Sequence, residues 1–186
     1  SAASDVYKRQ FGAVFLLSQF LQVVLGNNPL EAGVMTMPWT LAPLFVAPIS
    51  GWLAGRIGNR PVVFVGLILL SSGLTWIAAI LAPDMSYRSM IPAMIIAGVG
   101  MGLVFSPIVN AVLVGMASEE QATASGTNAT IREVGIVFGV AGLTAIFLAY
   151  DGQLTPTAFT DAVIPAIFFG AAAVGVSALM TLRLPS

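Results

Sequence analysis

The sequence predicts an all-α integral membrane protein with six transmembrane helices. Hydrophobic residues make up 58% of the 186 residues and charged residues only 8%, whereas about a quarter of a soluble domain is charged. The apolar residues are grouped into long stretches with short polar breaks between them. So few charged side chains cannot cover a soluble protein of this length, and we therefore expect most of its surface to contact the lipid bilayer.

Composition also excludes several functions. The formal net charge of −1 lacks the concentrated basic surface that nucleic-acid binding needs. The chain has no Cys and no His, which removes disulfides, thiolates, imidazole ligands and the usual general base. It also lacks an HExxH motif and a pair of embedded carboxylates. We expect no enzymatic activity, no cofactor or metal, and no nucleic-acid partner.

The first ten residues, SAASDVYKRQ, differ in character from the rest of the chain. They are polar and contain the only Lys. They look like the translated junction sequence found at the ends of fragmentary reading frames. We expect residues 1–10 to be a non-native junction or scar, and residues 11–186 to form the membrane domain.

Six apolar stretches are the predicted spans. A helix needs about 20 residues to cross a hydrocarbon layer about 30 Å thick, and the second, third, fourth and sixth stretches are long enough. The first ends at the polar sequence GNNP after about 24 Å of helix, so we expect its natural start to lie upstream. The spans are residues 11–26, 34–54, 62–81, 90–116, 122–149 and 163–182.

The fifth span has a polar start. Ser118 and Gln121 have the spacing of a capping box, and Glu119 and Glu120 suit the positive end of a helix dipole. This helix is therefore expected to begin near Ser118 in water and to become continuously apolar only from residue 134.

Basic residues in the short loops predict the orientation. Six alternating spans leave Arg88 alone on one side of the membrane and put the other basic residues that lie outside the spans on the opposite side. Because cytoplasmic loops are enriched in Lys and Arg, both chain ends are predicted to be cytoplasmic. The Ala, Gly and Val bias indicates the inner membrane of a bacterial cell. The basic residues on the predicted cytoplasmic side are Arg56, Arg60 and Arg183, joined by Lys8 and Arg9 if residues 1–10 are native.

The stretch GWLAGRIGNRP contains two of the seven basic residues. In one interpretation it is a turn between spans, in which Gly55 and Gly58 redirect the chain and Pro61 opens the next helix at its first position. Arg56 and Arg60 then hold the loop in the cytoplasm.

The same stretch resembles the G-x-L-x-D-R-x-G-x-R loop of the major facilitator superfamily, which joins the second and third helices of each six-helix half. Gly55 stands where that family usually has Asp, so this copy lacks the carboxylate that the family uses in gating. The matching residues are Gly51, Leu53, Arg56, Gly58 and Arg60.

Two further stretches resemble the C-terminal half of the fourteen-helix drug/proton antiporter branch of that family, and the resemblance extends over residues 11–185. FLQVVLGNNPLEAGVMTMPW matches the end of the first helix and the start of the second at Leu21, Gln22, Gly26, Pro29, Ala32, Gly33 and Pro38. The fourth and fifth helices match at Gly98, Gly100, Gly102, Pro107, Ala124, Ser125, Gly126, Asn128, Arg132, Gly135, Gly139 and Ala141.

Small residues and prolines predict how the helices pack. Helices in lipid need small residues so that their backbones can approach, and we expect the glycines to serve packing more than gating. The predicted packing positions are Gly51, Gly55, Gly98, Gly100, Gly102, Gly135 and Gly139. Bends are expected where prolines fall inside the second and fourth spans, at Pro38, Pro43, Pro48 and Pro107.

Polar side chains within spans are the candidate site residues, because they are costly in lipid. Gln19 and Gln22 share one face of the first helix, as Ser106 and Asn110 share one face of the fourth. The resemblance places both helices at the central cavity and thereby implies that these residues line the substrate path. An interhelical hydrogen bond is an equal alternative for Asn110.

Arg132 and Glu133 are candidate gating residues near the membrane boundary. Adjacent residues diverge by about 100° around a helix, so the two cannot face one cavity together. Arg132 suits a structural or gating contact near the cytoplasmic end. Glu133 is the only acidic residue near a predicted embedded position, so the proton-carrying carboxylate is either Glu133 or, as we favour, a residue of the missing half.

The resemblance implies a fragment of a secondary active transporter, a proton-coupled multidrug efflux antiporter. Such transporters work by alternating access between two halves, so the implied partners are the missing N-terminal half, protons, a lipophilic small-molecule substrate and the lipid bilayer. The alternative is a stand-alone membrane scaffold or channel-like subunit. An intramembrane enzyme is a distant third possibility, because the chain offers little catalytic chemistry.

Overall fold

The computed structural model describes residues 14–113, 118–151, 153 and 155–181. All regular secondary structure in this part of the chain is helical, so the predicted all-α class is confirmed. The predicted junction at residues 1–10 lies outside the described residues. The helices are α1 (Val14–Val23), α2 (Pro29–Met35), α3 (Met37–Ile57), α4 (Asn59–Ile80), α5 (Tyr87–Leu113), α6 (Ser118–Ala149) and α7 (Pro156–Thr181).

Four of these helices are long and apolar enough to cross a membrane, namely α3, α4, α7 and the Tyr87–Phe105 part of α5. Two shorter apolar segments, Val14–Val23 and Val137–Ala149, belong to α1 and α6. The helices α6 and α7 begin at Ser118 and Pro156, ahead of the apolar stretches at residues 122–149 and 163–182. The side chain of Ser118 and those of the next four residues are outside the described set.

The polar sequence after α1 ends one helix and starts another. Gly26 adopts a left-handed backbone conformation with φ +69°. The Asn28 side chain then accepts a hydrogen bond from the Glu31 N–H at 2.9 Å, and the Glu31 carboxylate accepts one from the Asn28 N–H at 3.0 Å. This reciprocal capping box starts the short helix α2, which precedes the long apolar helix α3.

Two proline predictions are corrected by the helix boundaries. Pro38 was expected inside a helix but lies in the first turn of α3, which begins at Met37. Pro61 was expected at the first position of its helix but is the third residue of α4, which begins at Asn59. The first four N–H groups of a helix have no partner within it, so both positions tolerate proline without breaking the helix. Pro43, Pro48 and Pro107 do lie inside helices.

Helix α5 is the centre of the bundle. It packs against α3 on one side and α4 on another, α4 also packs against α7, and α6 lies against α7. Phe147 of α6 and Phe159 of α7 meet with ring centroids 4.8 Å apart. The largest fully buried side chains are Trp39, Phe20, Leu17, Leu21, Leu67, Leu70, Leu74, Ile77, Met90, Met94 and Ile167.

Three glycines explain why α5 fits between two neighbours. A Cβ atom on Gly98 would lie 2.5 Å from the carbonyl oxygen of Trp39 in α3, and one on Gly100 would lie 2.6 Å from that of Gly66 in α4. Gly102 is one helical turn after Gly98 and also faces α3, where its Cβ would be 2.8 Å from Val46. Alternate glycines therefore open opposite sides of α5 to backbone contact.

The same contacts show how α3, α4 and α5 run relative to one another. Along the α3 contact the residue numbers rise together, from Trp39 beside Gly98 to Val46 beside Gly102, so α3 and α5 are parallel. Along α4 they run oppositely, since Gly66 lies beside Gly100 and Gly73 beside Ala97. The chain therefore reverses its direction between α3 and α4, and again between α4 and α5.

The predicted packing role of Gly55 finds no partner among the described residues of this chain. Gly55 is exposed, and a Cβ atom placed on it would meet nothing within 4 Å. Its partner in that motif, Gly51, is half-buried, and Gly139 in α6 is buried. The surroundings of Gly135 fall outside the described residues. A Gly-x-x-x-Gly spacing thus marks a helix face that can be approached closely, but in this structure no described helix covers that face at Gly55.

We expect Gly100→Ala to destabilise the full-length protein by about 1–3 kcal/mol, because the new methyl group would press on backbone atoms of α4 that cannot rotate away. Gly142→Ala in α6 is the matched control, since Gly142 is exposed, its methyl group enters open space and Ala favours a helix. Thermal unfolding in detergent measures both. Equal melting temperatures for the two variants would contradict this account of α5 packing.

Candidate functional site

The loop between α3 and α4 is a single residue long. Gly58 follows the last residue of α3 and immediately precedes α4, with φ +89° and ψ 159°. L-residues rarely adopt such a positive φ, so a side chain at this position would be strained. The Gly58 N–H still donates to the Ala54 carbonyl, at 2.9 Å, which completes the last turn of α3. The loop motif is therefore a sharp reversal that holds its two arginines at fixed places.

Arg56 lies in the last turn of α3 and is exposed. Its guanidinium carbon sits 4.2 Å from the centroid of the Trp52 ring, one helical turn earlier. This geometry is a cation–π contact, and a cation in the last turn also suits the negative end of the helix dipole. Trp52 itself is 58% exposed, so the pair presents an aromatic and basic surface.

Arg60 is half-buried and reaches a different helix. Its Nε–H donates to the carbonyl of Thr181, at 2.9 Å. Thr181 is the last residue of α7, where carbonyl groups lack helical donors and the dipole is negative. The second arginine of the motif therefore fastens the α3–α4 loop to the end of the last helix.

Neither arginine has a carboxylate partner among the side chains that the structure describes. Arg56 contacts Trp52, and Arg60 contacts Thr181. The position of the usual acidic residue is held by Gly55, which is exposed at the same end of α3. Instead of an ion pair, Arg56 therefore has the face of an aromatic ring, and Arg60 has a carbonyl at a helix terminus.

Gln19 and Gln22 are both half-buried on α1. The Gln22 amide donates to the carbonyl and to the hydroxyl oxygen of Ser18, at 3.3 Å each, so its donors are used within its own helix. Gln19 makes no side-chain hydrogen bond with any described residue. Of this pair, Gln19 is the amide left available for a ligand.

The other predicted site residues are less fully described. Ser106 and Asn110 lie on α5 and Arg132 lies on α6, but their side chains are outside the described set. Glu133 is exposed on α6. Because α7 begins at Pro156, Asp161 also lies within a long apolar helix, where it is exposed. Glu133 is therefore not the only acidic residue near an apolar helical segment.

Three polar residues that sequence analysis passed over make contacts between helices. The Ser50 hydroxyl donates to the Leu103 carbonyl at 3.0 Å, and the Ser71 hydroxyl donates to the Ala171 carbonyl at 2.8 Å. Tyr87 donates to the Met35 carbonyl at 2.8 Å. The rule that identified the glutamines, that polar groups in spans need partners, would have identified the two serines.

We expect Arg60→Ala to lower the stability of the full-length protein by about 1–2 kcal/mol, since it removes a half-buried hydrogen bond to a helix terminus. Arg56→Ala should cost about 0.5–1 kcal/mol, the usual range for an exposed cation–π pair. Thermal unfolding of the two variants side by side tests this difference. A larger loss for Arg56→Ala would show that the α7 contact is not the stronger one.

Comparisons with known proteins agree with this arrangement. Residues 9–186 match the family model described as Major Facilitator Superfamily. "Multidrug resistance protein Stp" of Mycobacterium tuberculosis is 31% identical over 145 residues, which are 78% of this chain and 27% of that protein. "Multidrug transporter protein MdtP" of Bacillus subtilis is 28% identical over 155 residues, 83% of this chain and 28% of that protein.

A solved structure shows the same fold. The crystal structure of a D-xylose-proton symporter aligns with 100% of this chain and 46% of its own, with a TM-score of 0.65 at 15% sequence identity. The chain thus spans only 27% and 28% of the length of the two curated relatives above. The family match over residues 9–186, the multidrug relatives and the shared fold confirm the resemblance drawn from the loop motif, and the chain belongs to the Major Facilitator Superfamily as a multi-pass membrane protein.

Proposed function

We propose that this chain is the C-terminal half of a proton-coupled multidrug efflux antiporter that works by alternating access with an N-terminal six-helix half. The observation that carries the proposal is that the whole chain aligns with 46% of a proton symporter's chain. Relatives named for multidrug resistance or transport favour a drug-like substrate. The resemblance of the stretch from Phe20 to Trp39 to the C-terminal half of the antiporter branch favours this half over the other.

The exposed face of α3 supports a second half as its neighbour. Large apolar side chains recur every three or four residues along it, and α3 is both the least buried and the least apolar of the four candidate spans. An exposed face on the least buried span leaves room for a protein neighbour beside α3. We place the N-terminal half against this face, which is formed by Leu41, Leu44, Phe45, Ile49 and Trp52.

The substrate path in this proposal runs past α1 and α5. Gln19 is half-buried and keeps its amide free of other described residues, so it is positioned to bind a polar group of an otherwise lipophilic substrate. Gln22, Ser106 and Asn110 remain proposed cavity residues. An apolar cavity with a few amides suits lipophilic cations and neutral drugs of similar size.

Gating and proton transfer are assigned to two places. Arg132 and Glu133 are proposed gating residues near the cytoplasmic end of α6. Glu133 and Asp161 are both exposed, and the acidic position of the loop motif is held by Gly55, so we assign the proton-carrying carboxylate to the N-terminal half.

We also propose that both ends of this half are cytoplasmic, in the inner membrane of a bacterium. The Arg60–Thr181 bond supports this, because it brings the α3–α4 loop and the end of α7 to one side of the bundle. The Tyr87–Met35 bond joins the start of α5 to the end of α2. Met35 lies beside the start of α3, so this contact is at the opposite end of α3 from Arg56 and Arg60. Arg88 follows Tyr87 and therefore lies away from Arg56 and Arg60, as the positive-inside rule requires.

A reporter fusion tests the orientation. A phosphatase that is active only in the periplasm should be inactive when fused after Arg183 and active when fused between α4 and α5, after Asp84. A fluorescent protein that folds only in the cytoplasm should give the reverse pattern. Phosphatase activity after Arg183 would contradict the proposed orientation.

An efflux assay tests the transport function. The full-length protein, expressed in an efflux-deficient bacterial strain, should expel ethidium, and a protonophore should abolish the expulsion because it removes the proton gradient. Residues 11–186 expressed alone should leave ethidium retained, since one half has nothing to alternate against. Efflux that persists with the protonophore would contradict proton coupling, and efflux by residues 11–186 alone would contradict the two-half mechanism.

Two glutamine variants serve as a matched pair in the same assay. Gln19→Ala in the full-length protein should raise the ethidium concentration for half-maximal efflux by about fivefold, the effect of losing one hydrogen bond of about 1 kcal/mol. Gln22→Ala should change it less, because the Gln22 donors are already bonded to Ser18. A larger effect for Gln22→Ala would remove Gln19 from the proposed path.

A further inference from the structure

Pro107 leaves a carbonyl of α5 without its usual hydrogen-bond donor. In an α-helix the N–H of each residue donates to the carbonyl four residues earlier, and proline has no N–H. Pro107 lies inside α5 and is buried, and the carbonyl four residues before it belongs to Leu103. A carbonyl released in this way within a packed bundle needs a donor from somewhere else.

Ser50 of α3 supplies that donor. Its hydroxyl oxygen lies 3.0 Å from the Leu103 carbonyl oxygen, and the Ser50 side chain is completely buried. A hydroxyl buried without a partner is unfavourable, as is a buried carbonyl without one. The bond therefore satisfies two groups at once, one of which lacks a helical donor only because residue 107 is proline.

At another point of the contact between α3 and α5, the proline lies in α3 and its carbonyl faces α5. Pro43 lies inside α3, so it removes the helical donor of the Trp39 carbonyl. Gly98 of α5 faces this carbonyl oxygen, since a Cβ atom on Gly98 would lie 2.5 Å from it. The backbone of Gly98 therefore lies close to the oxygen, at a position that a side chain would block. At this contact α3 and α5 each have one carbonyl that lacks its helical donor because of a proline, and each of these carbonyls faces the other helix.

We propose that Ser50 acts as a latch on a hinge at Pro107. Proline inside a helix favours a bend at its position. The Ser50–Leu103 bond fixes the part of α5 just before Pro107 to α3, and the part after Pro107 runs on towards α6. While the bond is made, the Leu103 carbonyl is held against α3; when it breaks, α5 is free to bend further between Leu103 and Pro107. This inference does not depend on the proposed substrate or on proton coupling.

A double-mutant cycle in the full-length protein tests the latch. Ser50→Ala should lower the melting temperature in detergent by on the order of 2 °C, as expected for the loss of one buried hydrogen bond. Pro107→Ala restores an N–H that can donate to Leu103, so Ser50→Ala should have less than half of that effect when Pro107→Ala is also present. Pro107→Val gives the same test with a side chain closer to proline in size, should the alanine variant fold poorly.

Ser71→Ala is the matched control. Ser71 is half-buried, and like Ser50 its hydroxyl donates to a carbonyl of a neighbouring helix, that of Ala171 at 2.8 Å. The residue four positions after Ala171 is Gly175, which keeps its N–H. Ser71→Ala should therefore lower the melting temperature equally with and without Pro107→Ala. An effect of Ser50→Ala that is likewise unchanged by Pro107→Ala would overturn the proposal.

A distance measurement tests the hinge separately. Ile95 on α5 and Thr123 on α6 are exposed and lie on either side of Pro107 along the chain. Spin labels on Ile95→Cys and Thr123→Cys, in a cysteine-free full-length protein, report the spread of distances between them. Ser50→Ala should widen this distribution, and adding Pro107→Ala should narrow it again. A distribution unchanged by Ser50→Ala would overturn the hinge.

Discussion

The approach of α5 to both α3 and α4 is the constraint on which the rest of the bundle depends. Lipid gives apolar helices no hydrophobic reason to associate, so their contact has to come from packing and hydrogen bonds at short range. Gly98 and Gly102 admit α3, and Gly100 admits α4. Once these backbones touch, Ser50 can reach Leu103, and α4 is held where Ser71 and Arg60 can reach α7.

The class of fold was predictable because each membrane-spanning segment must by itself be long and apolar enough to cross the bilayer. Length and apolar composition within each stretch identified the long helices, and the G-x-G-x-G pattern identified α5 as a packing helix. Gly55 shows the limit of such patterns, since the same spacing occurs on a face that no described helix covers. Pro38 shows another limit, because its effect depends on whether the helix begins before it or at it.

The contacts that the sequence did not reveal are those between distant residues. Arg60 and Thr181 are separated by 121 positions, and Ser50 and Leu103 by 53. Nothing in the loop motif indicates that one arginine stacks on a ring within its own helix while the other binds the end of α7. The released carbonyl of Leu103 could be deduced from Pro107, but its partner could be found only in the packed bundle.

The bond between Arg60 and Thr181 also orders events during synthesis. A ribosome adding about 5–20 residues per second needs on the order of ten seconds to make the 121 residues between them. During that interval α3 and α4 are already in the membrane, while the Arg60 guanidinium and the Ser71 hydroxyl still lack the carbonyls of α7. A nascent chain that stops before α7 therefore leaves the Arg60 guanidinium to water and the Ser71 hydroxyl to a carbonyl of its own helix, so the two bonds that hold α7 to α4 form only when the last helix arrives.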